Sequence, residues 1–109
     1  MSYFAAKDPS VFTEPHGSRN FPIFHAGNAP IAGVTASDAA YYNTTYPAPG
    51  VHEDHEGFYV YEGHGYAKVG DEEREIAAGS CFYAPAGVPH QVRRSEECDV
   101  LKVFLFHFA

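Results

Sequence analysis

The sequence predicts a single all-β domain of sandwich or barrel type. Gly, Pro and Asn-rich turn signals recur about every 8 to 12 positions, and the segments between them are strand-length and rich in β-branched and aromatic residues. The chain has 109 residues, enough for one core. Apolar residues make up 45% and aromatic residues 16%, which supplies core bulk without disulfide staples.

Along the chain, residues 1–35 read as an N-terminal arm with strands that cover a barrel formed by residues 36–109. Only Ala36 to Tyr42 invites a helical reading, and it is short and Tyr-rich. "FYVYEG", "GYAKVG", "REIAAG", "SCFYAP", "HQVRRS" and "DVLKVFLFHF" then follow as strands. "DEEREI" reads as a solvated hairpin tip. In the last strand Leu101, Val103, Leu105 and His107 share one face, and Lys102, Phe104, Phe106 and Phe108 share the other. Both faces are largely apolar, so one is expected inside the barrel and the other under a cover. A second copy of the chain would provide that cover in a homodimer; the arm, with Phe12, Phe21, Ile23 and Phe24, is the alternative.

The net charge of −7 repels phosphate backbones, so no nucleic-acid partner is expected. No apolar run reaches membrane-spanning length, and "MSYFAAKDPS" lacks a secretory pattern, so the expected location is cytoplasmic, with no membrane association. Cys81 and Cys98 show no C-x-x-C or zinc-finger spacing and read as free, buried thiols.

The stretch "VHEDHEGFYVYEGHG" at residues 51 to 65 concentrates histidines and acids. On an extended strand His52, Asp54, Glu56, Phe58 and Val60 share a face, and Phe58 and Val60 mark it as interior. An inward imidazole and carboxylate are costly unless something pairs them, which a divalent cation would do. His90 begins a second strand behind a Pro85-Ala86-Gly87 turn and Pro89. Together His52, Glu56 and His90 compose a two-histidine, one-carboxylate set. His55 and His64 read as solvent-facing, and His16 carries no signal. An inward Arg94 would clamp a substrate anion or, as the commoner use, pair with Glu62 or another acid. Tyr42, Tyr46, Phe58 and Tyr83 are candidates for an aromatic pocket wall.

These residues resemble the two signature motifs of the cupin superfamily. The second motif, G-x5-P-x-G-x2-H-x3-N, is matched by Gly79, Pro85, Gly87 and His90, with Arg94 at the final Asn position. The first, G-x5-H-x-H-x3-E-x6-G, is matched by His52, Glu56 and Gly63, while Gly50 stands at the first histidine. The resemblance implies a single-domain, jelly-roll-like double-stranded β-barrel with a divalent metal (Fe, Zn, Mn or Ni) near its centre. It implies His52, Glu56 and His90 as ligands. Three outcomes stay open: a three-ligand site, a fourth ligand from His107, Asp54 or His25, or a metal-free barrel. The expected activity is on a small oxygenated molecule such as a sugar, keto acid or phenolic, as dioxygenase, isomerase, cyclase or lyase. Glu56, Arg94 and Tyr42 are the candidate catalytic groups. The rival is a non-catalytic small-molecule binding or sensor protein.

Overall fold

The computed structural model describes residues 2–109. Alternation and turn chemistry produce eight strands and, among the described residues, no helix: β1 Ser18–Phe24, β2 Thr35–Tyr41, β3 His55–Glu62, β4 His64–Val69, β5 Glu72–Ala77, β6 Cys81–Ala84, β7 His90–Arg94 and β8 Leu101–Phe108. All pairings are antiparallel. One sheet has the order β1-β2-β8-β3-β6 and the other β5-β4-β7. Of the tempting Ala36–Tyr42 stretch, Ala36 to Tyr41 lie in β2, hydrogen-bonded on one side to β1 and on the other to β8. Pairing from both neighbours overrides its local preference.

The two sheets enclose one core. Ala39 and Tyr41 of β2, Phe58 and Val60 of β3, Ala67 of β4, Ile76 of β5, Ala84 of β6, Val92 of β7 and Leu101, Val103 and Leu105 of β8 are all buried in it. Phe58, Leu101, Val60 and Val103 are the largest fully buried side chains. Each stabilises the fold by roughly 1.5–3 kcal/mol through removal from water. The β8 alternation thus turns Leu101, Val103 and Leu105 inward. The opposite face carries a ladder of rings in which Phe104–Phe106 and Phe106–Phe108 centroids are 6.0 and 6.0 Å apart. Gly57 of β3 faces Phe106 directly, and only a residue without Cβ leaves room for that ring.

β1 extends the larger sheet edge to edge with β2. The arm before it folds back in a Thr13↔Asn20 bridge whose tip is Pro15-His16-Gly17-Ser18, closed by the Ser18 N–H on the Pro15 carbonyl at 3.0 Å. His16 and Gly17 both have positive φ, 52° and 78°, as a tight two-residue hairpin turn of this hand demands. The Asp71–Glu75 acids sit at the exposed β4–β5 hairpin as anticipated. Cys98 is half-buried, but Cys81 is exposed rather than buried, because it faces outward from the edge strand β6.

Candidate metal centre

At one end of the core lies a cavity of about 330 Å³ between the sheets. Its floor is Glu56, whose side chain is only 7% exposed. β3 turns this carboxylate inward next to Phe58 and Val60, on the face that the alternation predicts. His52 precedes the strand and reaches Glu56 Oε1 from Nε2 at 2.9 Å. His90, first residue of β7, reaches the same Oε1 from Nε2 at 3.1 Å. Reciprocal backbone bonds to Gly50, at 2.9 and 3.0 Å, hold His90 in place. A Phe58 edge contact at 5.7 Å between ring centroids supports its imidazole. His107 of β8 stands opposite Glu56 in the β3–β8 register, with Nε2 3.5 Å from Oε2. Asp54 sits behind two of these rings, 2.6 Å from His52 Nδ1 and 3.1 Å from His107 Nδ1.

The electrostatics follow from the packing. Burial by itself would raise the Glu56 carboxyl; the His90 hydrogen bond, the His107 charge and the His52 hydrogen bond outweigh it and hold the carboxyl below its ordinary range. Burial would lower His90, but its bonds to Glu56 and to the Val88 carbonyl, with the Glu56 charge, raise it. Tyr41 lines the cavity and is buried; burial and then the Glu56 charge push its phenol upward, so it keeps its proton. Imidazole nitrogens and a buried carboxylate converging within one small volume are the donor chemistry of a mid-row divalent cation. His52, Glu56 and His90 form one such group, and His52, Asp54 and His107 form another.

The other expected site residues fall elsewhere. Among the described residues Arg94 pairs with no acid, and it does not line the cavity: its guanidinium donates to the carbonyls of Tyr42, Ser95 and Cys98 at 2.8, 3.1 and 2.6 Å. It ties the end of β7 to the loop that follows, satisfying carbonyls that no strand pairs. Tyr42 is 50% exposed on the outside; Tyr41 is the inward tyrosine. His25 lies in the exposed turn after β1, where its Nδ1 accepts the Gly27 N–H at 3.1 Å. Tyr46 donates to Glu73, and Tyr83 is exposed, so of the proposed aromatic wall only Phe58 lines the cavity.

Sequence reasoning passed over His16, Ser18, Asn20 and Gln91, which also line the cavity. The Pro-His-Gly turn was a visible hairpin signal for the first of them. The others carry no local mark.

Two antiparallel sheets packed around an inward cluster of imidazole and carboxylate define a small all-β protein with a site that could hold a metal. The family described as the cupin domain matches residues 43–105, and the chain belongs to it. An uncharacterised protein of Streptomyces coelicolor is 37% identical over 73 residues, which span 66% of this chain and 66% of that protein, just under two thirds of its length. Among solved structures, KdgF from Halomonas sp. superposes with TM-score 0.74 at 21% identity, covering 100% of this chain and 96% of that one. Bacillus subtilis oxalate decarboxylase, a protein with Mn(II) centres, gives 0.79 at 17% identity over 99% of this chain and 30% of that one. The Fe(II) enzyme HppE in complex with its substrate gives 0.75 at 15%, over 95% of this chain and 55% of that one. At these identities the likeness is one of fold. Among the described residues no helix is long and apolar enough to cross a membrane.

Proposed function

We propose that this chain is a divalent-metal cupin acting on a small oxygenated molecule of the sugar, keto-acid or phenolic class, with His52, Glu56 and His90 as metal ligands. One observation carries the reading: a nearly buried carboxylate lies within 2.9 and 3.1 Å of two imidazole nitrogens from separate elements, at the floor of a cavity. A buried acid there costs several kcal/mol of stability unless a cation or protons offset it. When bound, iron, zinc, manganese or nickel supplies a Lewis acid for substrate oxygens or a site for dioxygen.

The chain's own groups supply the rest. The cavity volume, about 330 Å³, is at the small end of ligand sites. Ser18, Asn20 and Gln91 line it with hydroxyl and amide groups that suit a polyoxygenated ligand. Phe58, Val92 and Leu105 wall its inner end and exclude water. The protonated Tyr41 phenol is a hydrogen-bond donor toward a substrate oxygen. The second copy of the chain belongs to the same proposal: Tyr59, Tyr61, Tyr83 and Phe104 leave 45, 42, 56 and 36% of their surfaces exposed on the outer face of the larger sheet.

The test is elemental analysis of the purified protein beside His52→Ala and His90→Ala. Stoichiometric metal in the parent and its loss in both variants is the expected result. Metal retained by both variants overturns the site.

A further inference from the structure

We infer that His107 is a fourth protein ligand, supplied by β8 in place of the imidazole that Gly50 lacks, and that Asp54 is the residue positioning it. The inference rests on the metal reading above and deepens it.

Three imidazoles, not two, aim the same atom at Glu56. The Nε2 atoms of His52, His90 and His107 lie 2.9, 3.1 and 3.5 Å from its oxygens. Adjacent rings crowd together, with His52–His90 and His52–His107 centroids both 4.9 Å apart. Each ring is fixed by an acceptor at its far nitrogen. His90 Nδ1 meets the Val88 carbonyl at 3.1 Å. His52 Nδ1 meets the Asp54 backbone carbonyl at 3.1 Å and lies 2.6 Å from one oxygen of its carboxylate, and His107 Nδ1 meets the other carboxylate oxygen at 3.1 Å. A carbonyl or carboxylate oxygen only accepts, so each Nδ1 carries a proton and each Nε2 is the ring atom left to face Glu56. Three ring nitrogens and a carboxylate cannot face one another with nothing between them. Protons or a divalent cation must lie among them, and outer acceptors on Nδ1 are how metal-binding histidines are oriented.

The register explains the exchange of positions. Gly50 pairs across from His90, whereas His107 pairs across from Glu56. A Cβ at position 50 would come within 3.0 Å of His90 Nε2, so that side of the centre is left bare and the cavity runs along it past Pro47, Pro49 and Gly50. A small ligand with two adjacent oxygens therefore approaches over Gly50, and His107 closes the opposite side.

The test uses ¹⁵N-histidine NMR of the parent protein titrated with Zn(II), together with Co(II) affinity and visible absorption of variants. Three histidines whose Nε2 moves on Zn(II) binding while Nδ1 stays protonated is the expected result. His107→Gln weakens Co(II) by roughly 100-fold or more and changes its absorption; Asp54→Asn weakens it about 10- to 100-fold and leaves the band pattern intact. Shifts at His52 and His90 alone, with His107→Gln binding as the parent does, overturn the inference and leave the metal reading standing. Shifts at Nδ1 of His52 and His107 overturn it in favour of Asp54 as a direct ligand. No Zn(II) shift at any of them removes the metal reading itself.

Discussion

Replacing Gly57 with alanine tests how the fold delivers the site. Gly57 lies on β3 between Glu56 and Phe58 and pairs with Phe106 on β8 and Tyr83 on β6. A Cβ there would sit 2.1, 2.3 and 2.7 Å from Cζ, Cε2 and Cε1 of the Phe106 ring, where ordinary contact begins at 3.4 Å. The ring must withdraw by more than an ångström. It cannot slide along the sheet, because Phe104 and Phe108 flank it at 6.0 and 6.0 Å and Tyr83 meets it edge-on at 6.0 Å. Overpacking of this kind costs about 1–3 kcal/mol. The alanine returns roughly 0.4–1 kcal/mol by restricting the unfolded chain. The expected net loss lies between about 0 and 2.6 kcal/mol, with a melting temperature lower by roughly 4–8 °C for each kcal/mol. Denaturant unfolding of Gly57→Ala, Phe106→Ala and the double variant measures the coupling, expected at about 1–3 kcal/mol. With the ring gone, the alanine should be neutral or mildly stabilising. An equal cost in both backgrounds refutes the steric argument.

The metal-free protein should be most stable between pH 4.5 and 6.5. The Glu56 carboxyl is depressed from 4.5, so its contribution disappears as pH falls through the folded value; His90 is raised from 6.5, so its contribution is complete below 6.5 and disappears as pH rises through its folded value. A metal-free melting temperature that climbs from pH 6 to 8 contradicts this pairing. His16→Gly should stabilise the chain by about 1 kcal/mol, because the φ of 52° strains a side chain but not glycine; calorimetry showing a loss refutes the turn assignment. Arg94→Met should cost roughly 1–3 kcal/mol in denaturant unfolding by removing the donor of the Tyr42 and Cys98 carbonyls, yet leave metal affinity unchanged. A large drop in affinity with intact stability would return Arg94 to the site.

The strand alternations of β3 and β8 were legible because a two-residue period fixes which side chains face the core; Glu56 and His107 follow from it directly. The cross-strand meeting of those two residues was not legible, since register between strands far apart in sequence depends on the whole sheet. That Tyr41, and not the candidate Tyr42, faces the cavity was not legible for the same reason. Small alanines before the pair conceal the alternation of β2, and only pairing to β8 shows which tyrosine turns inward. Arg94 shares the parity of His90 and Val92, but a long side chain at a strand end goes where unpaired carbonyls are, and those come from loops.

The sequence by itself determined an all-β chain and the inward face of β3, because spacing within a strand and within a turn is local, and the resemblance of its two motifs to those of the cupin family joined His52, Glu56 and His90 as one set. Only the tertiary structure decided that Asp54 stands behind two rings, that His107 faces Glu56 and that the His16 hairpin borders the cavity. Each of these is a meeting of residues brought together by strand pairing and by the packing of one sheet on another, which no local pattern encodes.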